Sequence, residues 1–195
     1  MANKIPLIAA LVLALLPGAR IATASQYHGA VLDADTGEPI QGAAVVIVWY
    51  KTALFAFPGD APEHLQAVKE TVTDSAGRFA VSTWRGIDWN PSTHVKPPII
   101  VIYKPGYEPL APGFTPRRAF HSIEDFERQL RRGTTIRLPK LKPECVREHA
   151  LVMGVEELLI HDVPAARIPR LLRLISSQRE RCGLEPLRHL PEGEQ

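Results

Sequence analysis

The segment AAVVIVWYK, Ala43–Lys51, is apolar almost without interruption and rich in β-branched residues. β-branched side chains favour extended backbone, and an apolar run this short, with no helical spacing, reads as a strand. A half-buried strand alternates apolar and polar residues. One that is apolar on both faces lies deep in a sheet or between layers. The stretch that leads into it, DADTGEPIQG (Asp33–Gly42), is turn chemistry: Gly37 supplies permissive dihedrals, Asp35 and Thr36 bond their own backbone, and Pro39 sets an extended exit. Before the turn, QYHGAVLD (Gln26–Asp33) reads as a first strand. The carboxylates Asp33, Asp35 and Glu38 therefore sit in a loop between two strands. A calcium loop would use such carboxylates, but their spacing does not match an EF-hand, and the turn already accounts for them.

The remaining strands follow with regular punctuation. TALFAFPGDAPEHLQ (Thr52–Gln66) is a loop whose apolar first half, Leu54, Phe55 and Phe57, either covers one end of a sandwich or forms an exposed patch. AVKETVTDSAGRFAVSTW (Ala67–Trp84) reads as a hairpin turning at DSAG, with Phe79, Val81 and Thr83 alternating on the return. RGIDWNPSTHVKP is a polar loop carrying Trp89 and His94. PIIVIYKPGYEPL (Pro98–Leu110) is a strand with a Pro-Gly turn, and TTIRLPKL (Thr134–Leu141) is the last strand. Between them HSIEDFERQLRR has the helical spacing Ile123, Phe126, Leu130, with Ser122 as N-cap, acids in the first turn and arginines in the last. Eighteen prolines argue against a helical bundle. Strands first and helices later point to a mainly β sandwich.

Both ends of the chain have a separate character. MANK followed by the apolar IPLIAALVLALLP and the small-residue site ATA has the pattern of a signal peptide over residues 1–24, with cleavage between Ala24 and Ser25. The apolar run is short for a membrane span, so the expectation is export to a periplasm or the extracellular space, with an uncleaved anchor as the alternative and no transmembrane helix in the mature chain. Removing residues 1–24 takes away Lys4 and Arg20 and no acid, leaving 21 acids balanced by as many basic residues. That balance lacks the basic excess of a nucleic-acid binder. At the other end, Glu144–Asp162 and Val163–Gly183 have helical periodicity and read as a helical hairpin over 143–184, with a loose tail at 185–195. Cys145 opens the first helix and Cys182 closes the second. In an oxidising compartment two cysteines permit one intramolecular bridge, and this one would contribute roughly 3–4 kcal/mol.

The stretches GAVLDADTGEPIQGAAVVI, ETVTDSAGRFAVS and IIVIYKPGYEPL together resemble the carboxypeptidase regulatory-like domain family. Matching positions include Gly29, Asp33, Thr36, Gly37, Pro39, Gly42, Thr73, Asp74, Gly77, Phe79, Gly106 and Tyr107. The resemblance covers roughly residues 26–140. It implies a seven-stranded Greek-key, prealbumin-like β-sandwich over 25–142 with a helical insert near 121–132, and a bacterial setting. Such domains are non-catalytic accessory modules, so the implied role is binding a protein, peptide or glycan partner, in or near the cell envelope. The inserts and the helical extension depart from the family pattern.

Two enzyme readings compete with that role. His121 and Glu124 have the H-x-x-E spacing of zinc carboxypeptidases, but so short a pattern recurs by chance and no third ligand accompanies it. A solvated helix start explains it. Intradiol dioxygenases carry a similar glycine-rich stretch ending in Ile-Trp and hold iron with two tyrosines and an H-x-H pair; here His94 stands alone. The chain is therefore expected to be no enzyme and to need no cofactor, with a metal-dependent enzyme on the same fold as runner-up and a structural envelope component as the third reading. Aromatic residues carry the binding expectation: Trp84, Trp89, Tyr103 and Tyr107 as a platform for sugar or peptide, with Trp84 at a strand end read rather as core and Trp89 in its polar loop as the exposed ring, and with Leu54, Phe55 and Phe57 as an alternative surface.

Overall fold

The computed structural model describes residues 26–54, 63–84, 86, 90–111, 122–141 and 163–187. Its strands are β1 (Gln26–Asp33), β2 (Ala44–Ala53), β3 (His64–Val72), β4 (Arg78–Ser82), β5 (Thr93–Val95), β6 (Ile99–Tyr103) and β7 (Thr134–Leu138), with helices α1 (Ile123–Arg132) and α2 (Pro169–Arg181). The protein is mainly β. A three-stranded sheet runs β4-β1-β7, and a second sheet places β2 between β3 on one side and β6 and β5 on the other. β1 pairs antiparallel with β4 and parallel with β7.

β2 is apolar throughout because each of its faces meets a different layer. Val45, Ile47 and Trp49 point toward the other sheet, where they join Tyr27, Val31, Phe79, Val81, Ile136 and Leu138 in the inter-sheet core. Ala44, Val46, Val48 and Tyr50 point the opposite way and pack under Ile168, Leu171, Leu172 and Ile175 of the α2 region. Each fully buried aliphatic side chain of this kind contributes roughly 1.5–3 kcal/mol. The molecule is thus three layers deep: sheet, sheet, helix.

Of the connections that cross between the sheets, two are tight turns. β1 passes to β2 through the Asp33–Gly42 turn, and β3 passes to β4 through Asp74–Gly77. The Ala67–Trp84 segment is therefore not the hairpin expected from its turn signal: β3 lies in one sheet and β4 in the other. The antiparallel partner of β3 is β2. A period-two pattern flanking a tight turn suits an arch between sheets as well as a hairpin within one. Buried Thr73 joins the two crossovers. Its hydroxyl donates to the Ile40 carbonyl at 2.6 Å and accepts from the Ala43 amide at 2.9 Å. Gly77 is required at the second crossover. Its φ is +70°, and a Cβ there would stand 2.5 Å from the Val31 carbonyl oxygen.

The helices obey their local signals. Ser122 caps α1, its hydroxyl accepting from the Asp125 amide at 3.1 Å. Phe126 and Leu130 of α1 enter the inter-sheet core. α2 starts with Pro169 at its first position, where no amide is needed. Glu70 of β3 then caps it across the fold, accepting from the Arg170 and Leu171 amides at 3.0 and 2.7 Å. Val163–Ile168, read from its spacing as part of this helix, instead holds a 3-10 turn at Ala165–Arg167, with Pro164 and Pro169 delimiting it. Among the described residues no helix is long and apolar enough to cross a membrane.

Residues 1–25 with the expected Ala24–Ser25 cleavage site, Phe55, Phe57, Trp89, His121, Cys145, the first C-terminal helical segment and 188–195 lie outside the described residues.

Candidate functional site

Of the described residues singled out from the sequence, most have structural duties or stand apart. Tyr107 is half-buried against the inter-sheet core, and its hydroxyl donates to Asp33 Oδ2 at 3.0 Å. Lys140 reaches the same oxygen at 3.0 Å, while Asp33 Oδ1 accepts the amides of Asp35 and Thr36 at 2.9 and 3.0 Å. Asp33 is buried. The Thr36 amide and then Lys140 hold its carboxyl well below the ordinary carboxylate range. Burial first, then the Asp33 charge, pushes the Tyr107 phenol up, and the hydrogen bond to Asp33 raises Lys140. This trio ties the ends of β1 and β7 to the turn after β6. It commits the Tyr107 hydroxyl proton to Asp33.

A second internal cluster lies under α1. Tyr27, fully buried on β1, donates to Glu127 Oε1 at 2.6 Å and stacks on Trp49 with ring centroids 6.2 Å apart. Arg131 binds the same Glu127 oxygen at 2.6 Å and lies 5.0 Å above the Tyr27 ring. Burial and then Glu127 push the Tyr27 phenol well above the usual tyrosine range. The cluster is fully paired and clamps α1 onto the sheet.

Among the described residues, His94 and Glu124 join no group of metal-ligating side chains. His94 is exposed on β5, paired in register with Thr52 at the end of β2. Glu124 is exposed in the first turn of α1, where its own amide and Ser122 lower its carboxyl. Among the described residues no three His, Cys, Asp or Glu side chains group as metal ligands would. Leu54, just past β2, is 47% exposed. Cys182 caps the C-terminus of α2, its sulfur accepting from the Gln178 amide group at 3.4 Å.

Among the described residues, an open feature lies on the outer face of the β4-β1-β7 sheet. Alternation along these strands turns Tyr27, Val31, Phe79, Val81, Ile136 and Leu138 inward. It turns His28, Ala30, Arg78, Ala80, Thr135 and Arg137 outward. A shallow depression of about 490 Å³ opens there, centred on His28, Ala30, Ala80 and Thr135 and walled by Arg78 and Asp74. Small residues form its floor because Ala30 pairs with both Arg78 and Thr135, and Ala80 with His28. At one end His28 lies against Gly133, where a Cβ would come within 2.8 Å of its Nε2 and the φ of +85° favours glycine. The Asp74 carboxylate at the rim is occupied by the turn, accepting the Ala76 and Arg78 amides at 2.9 and 2.8 Å. The corresponding outer face of the other sheet is sealed by α2.

The sequence reading passed over this face. Its signal was present as basic and small residues at alternate positions of three strands, His28/Ala30, Arg78/Ala80 and Thr135/Arg137. Only strand pairing makes them neighbours. Comparison with protein-family models, with curated proteins and with solved structures finds no match for this chain.

Proposed function

We propose that the chain is an exported, non-catalytic binding module that engages a partner through the outer face of the β4-β1-β7 sheet. The observation that carries this reading is the contrast between the two sheets. One outer face is covered by α2, whereas the other is open, small-floored and basic. The polar clusters inside the fold are paired with one another and hold strand ends and α1 in place. The finer assignment follows the family resemblance: a prealbumin-like Greek-key sandwich, supported by the division of seven strands into sheets of three and four. Export, cleavage after Ala24 and a Cys145–Cys182 bridge belong to the same proposal. They are supported by the N-terminal pattern and by the presence of two cysteines in the chain.

The test is to express the full chain in a bacterial host and fractionate it. The expected product is periplasmic, begins at Ser25, and gains two hydrogens on reduction. Photo-crosslinkers placed at Ala80 and Thr135 are expected to trap a partner that one at Arg173 on α2 does not. Retention in the cytoplasm with an intact N-terminus would overturn export. Stoichiometric zinc or iron lost on His94→Ala would overturn the non-catalytic reading in favour of a metal enzyme.

A further inference from the structure

We propose that the open sheet face takes an extended, acidic segment of a partner polypeptide; this deepens the binding reading above and rests on it. Charge comes first. The outward positions of β1, β4 and β7 include His28, Arg78 and Arg137 and no carboxylate. Lys69 of β3 reaches the edge of the face, where its amine donates to Ser82 at 2.5 Å. Asp74 at the rim is spent on backbone amides. Arg137 lies beside the turn at Gly37, with its guanidinium 3.9 Å from where a Cβ would stand. A segment bearing carboxylates would find complementary charge at Arg78 and Arg137, the latter bordered by Asp35 and Glu38 of the turn.

Shape narrows the class. The floor of Ala30, Ala80 and Thr135 lets a main chain approach closely. Sugar-binding faces offer aromatic rings for stacking, and the outward positions here have none, because Tyr27 and Phe79 point into the core. Spacing then sets the register. Arg78 and Arg137 flank β1 two strands apart and offset by two residues, since Ala30 pairs with Arg78 while Leu32 pairs with Arg137. Their Cα atoms are therefore roughly 12 Å apart. An extended chain repeats same-side residues roughly every 7 Å, so acids at positions i and i+4 stand roughly 13 Å apart. Two glutamates with that spacing would meet the two arginines while the side chains between them cross β1 at Ala30 and Leu32.

The probe is a short Ser/Thr-rich peptide carrying glutamates four positions apart, titrated into the purified chain by fluorescence anisotropy, with amide NMR shifts mapping the site. Binding is expected to shift β1, β4 and β7 resonances and to weaken with salt. Arg78→Glu with Arg137→Glu is expected to lower affinity at least tenfold and to create binding for the lysine version of the peptide. The milder pair Arg78→Gln with Arg137→Gln is expected to give an intermediate loss, and Arg173→Glu on α2 none. Equal weakening by Arg173→Glu, or peptide shifts away from this face, would overturn the proposal. So would preferential binding of a sulfated glycan or a nucleic acid to the face, although the binding-module reading would then stand. If neither peptide, glycan nor nucleic acid binds and the Ala80 and Thr135 crosslinkers also trap nothing, both proposals fail together.

Discussion

Asp33 shows how much one side chain settles. In sequence it is one of three carboxylates in a turn. In the fold it is a buried anion with four donors: two amides, a phenol and an amine. Its ionised form is favoured in the folded state, so its contribution is full above the ordinary carboxylate range and fades as pH falls through that range toward the depressed folded value. Asp33→Asn is therefore expected to lower the urea midpoint at pH 7, with the gap to wild type closing as the pH is taken from 6 toward 3. A gap independent of pH would mean that the charge is not what matters. Tyr107→Phe keeps the ring and loses one hydrogen bond, so it should cost about 1 kcal/mol. Trp84, half-buried against the inter-sheet core, has the core role that its position at a strand end suggests.

At the scale of elements, α2 is held by two features with opposite effects. Glu70 supplies an N-terminal cap from a strand 100 residues earlier, although Ile168 at the N-cap position offers no side-chain acceptor. Glu70→Ala is expected to cost about 1 kcal/mol and to speed amide exchange at Arg170 and Leu171 before the sheets respond. On the buried side of the same helix, the Ser176 hydroxyl makes no hydrogen bond among the described residues. A buried unpaired hydroxyl is a cost, so Ser176→Ala is expected to raise stability, by up to about 1 kcal/mol in chemical denaturation. Element boundaries are largely legible in the sequence: β1, the Ser122 cap and the helical spacing over α1 all follow from local chemistry. The long-range cap is not, because nothing local marks Glu70 as a partner of α2.

For the whole molecule, the division suggested by the sequence, a sandwich to residue 142 followed by a helical extension, misses a dependence. The outer face of the β2 sheet is apolar at Ala44, Val46, Val48, Val101 and Tyr103, and α2 covers it. Truncation after residue 142 would expose that face and is expected to yield aggregated protein by light scattering, not a soluble sandwich. In the intact chain Leu171→Ala should cost 2–5 kcal/mol, the range for emptying a core position. α2 is a third layer of the fold among the described residues.

By itself the sequence determined what local physics controls: that Ala43–Lys51 is a strand buried on both sides, where turns and caps fall, and that the chain is mainly β. Backbone sterics, turn residues and hydrophobic period act over a few residues and are written in order along the chain. Tertiary structure alone decided which strands pair, that β3 and β4 belong to different sheets, and that α2 is the third layer, packed on the outer side of β2. It also decided that Asp33 meets Tyr107 and Lys140, and that His28, Arg78 and Arg137 share one face. Each of these joins residues far apart in sequence, and such contacts are selected by the burial and pairing of the whole chain, which no short window of residues encodes.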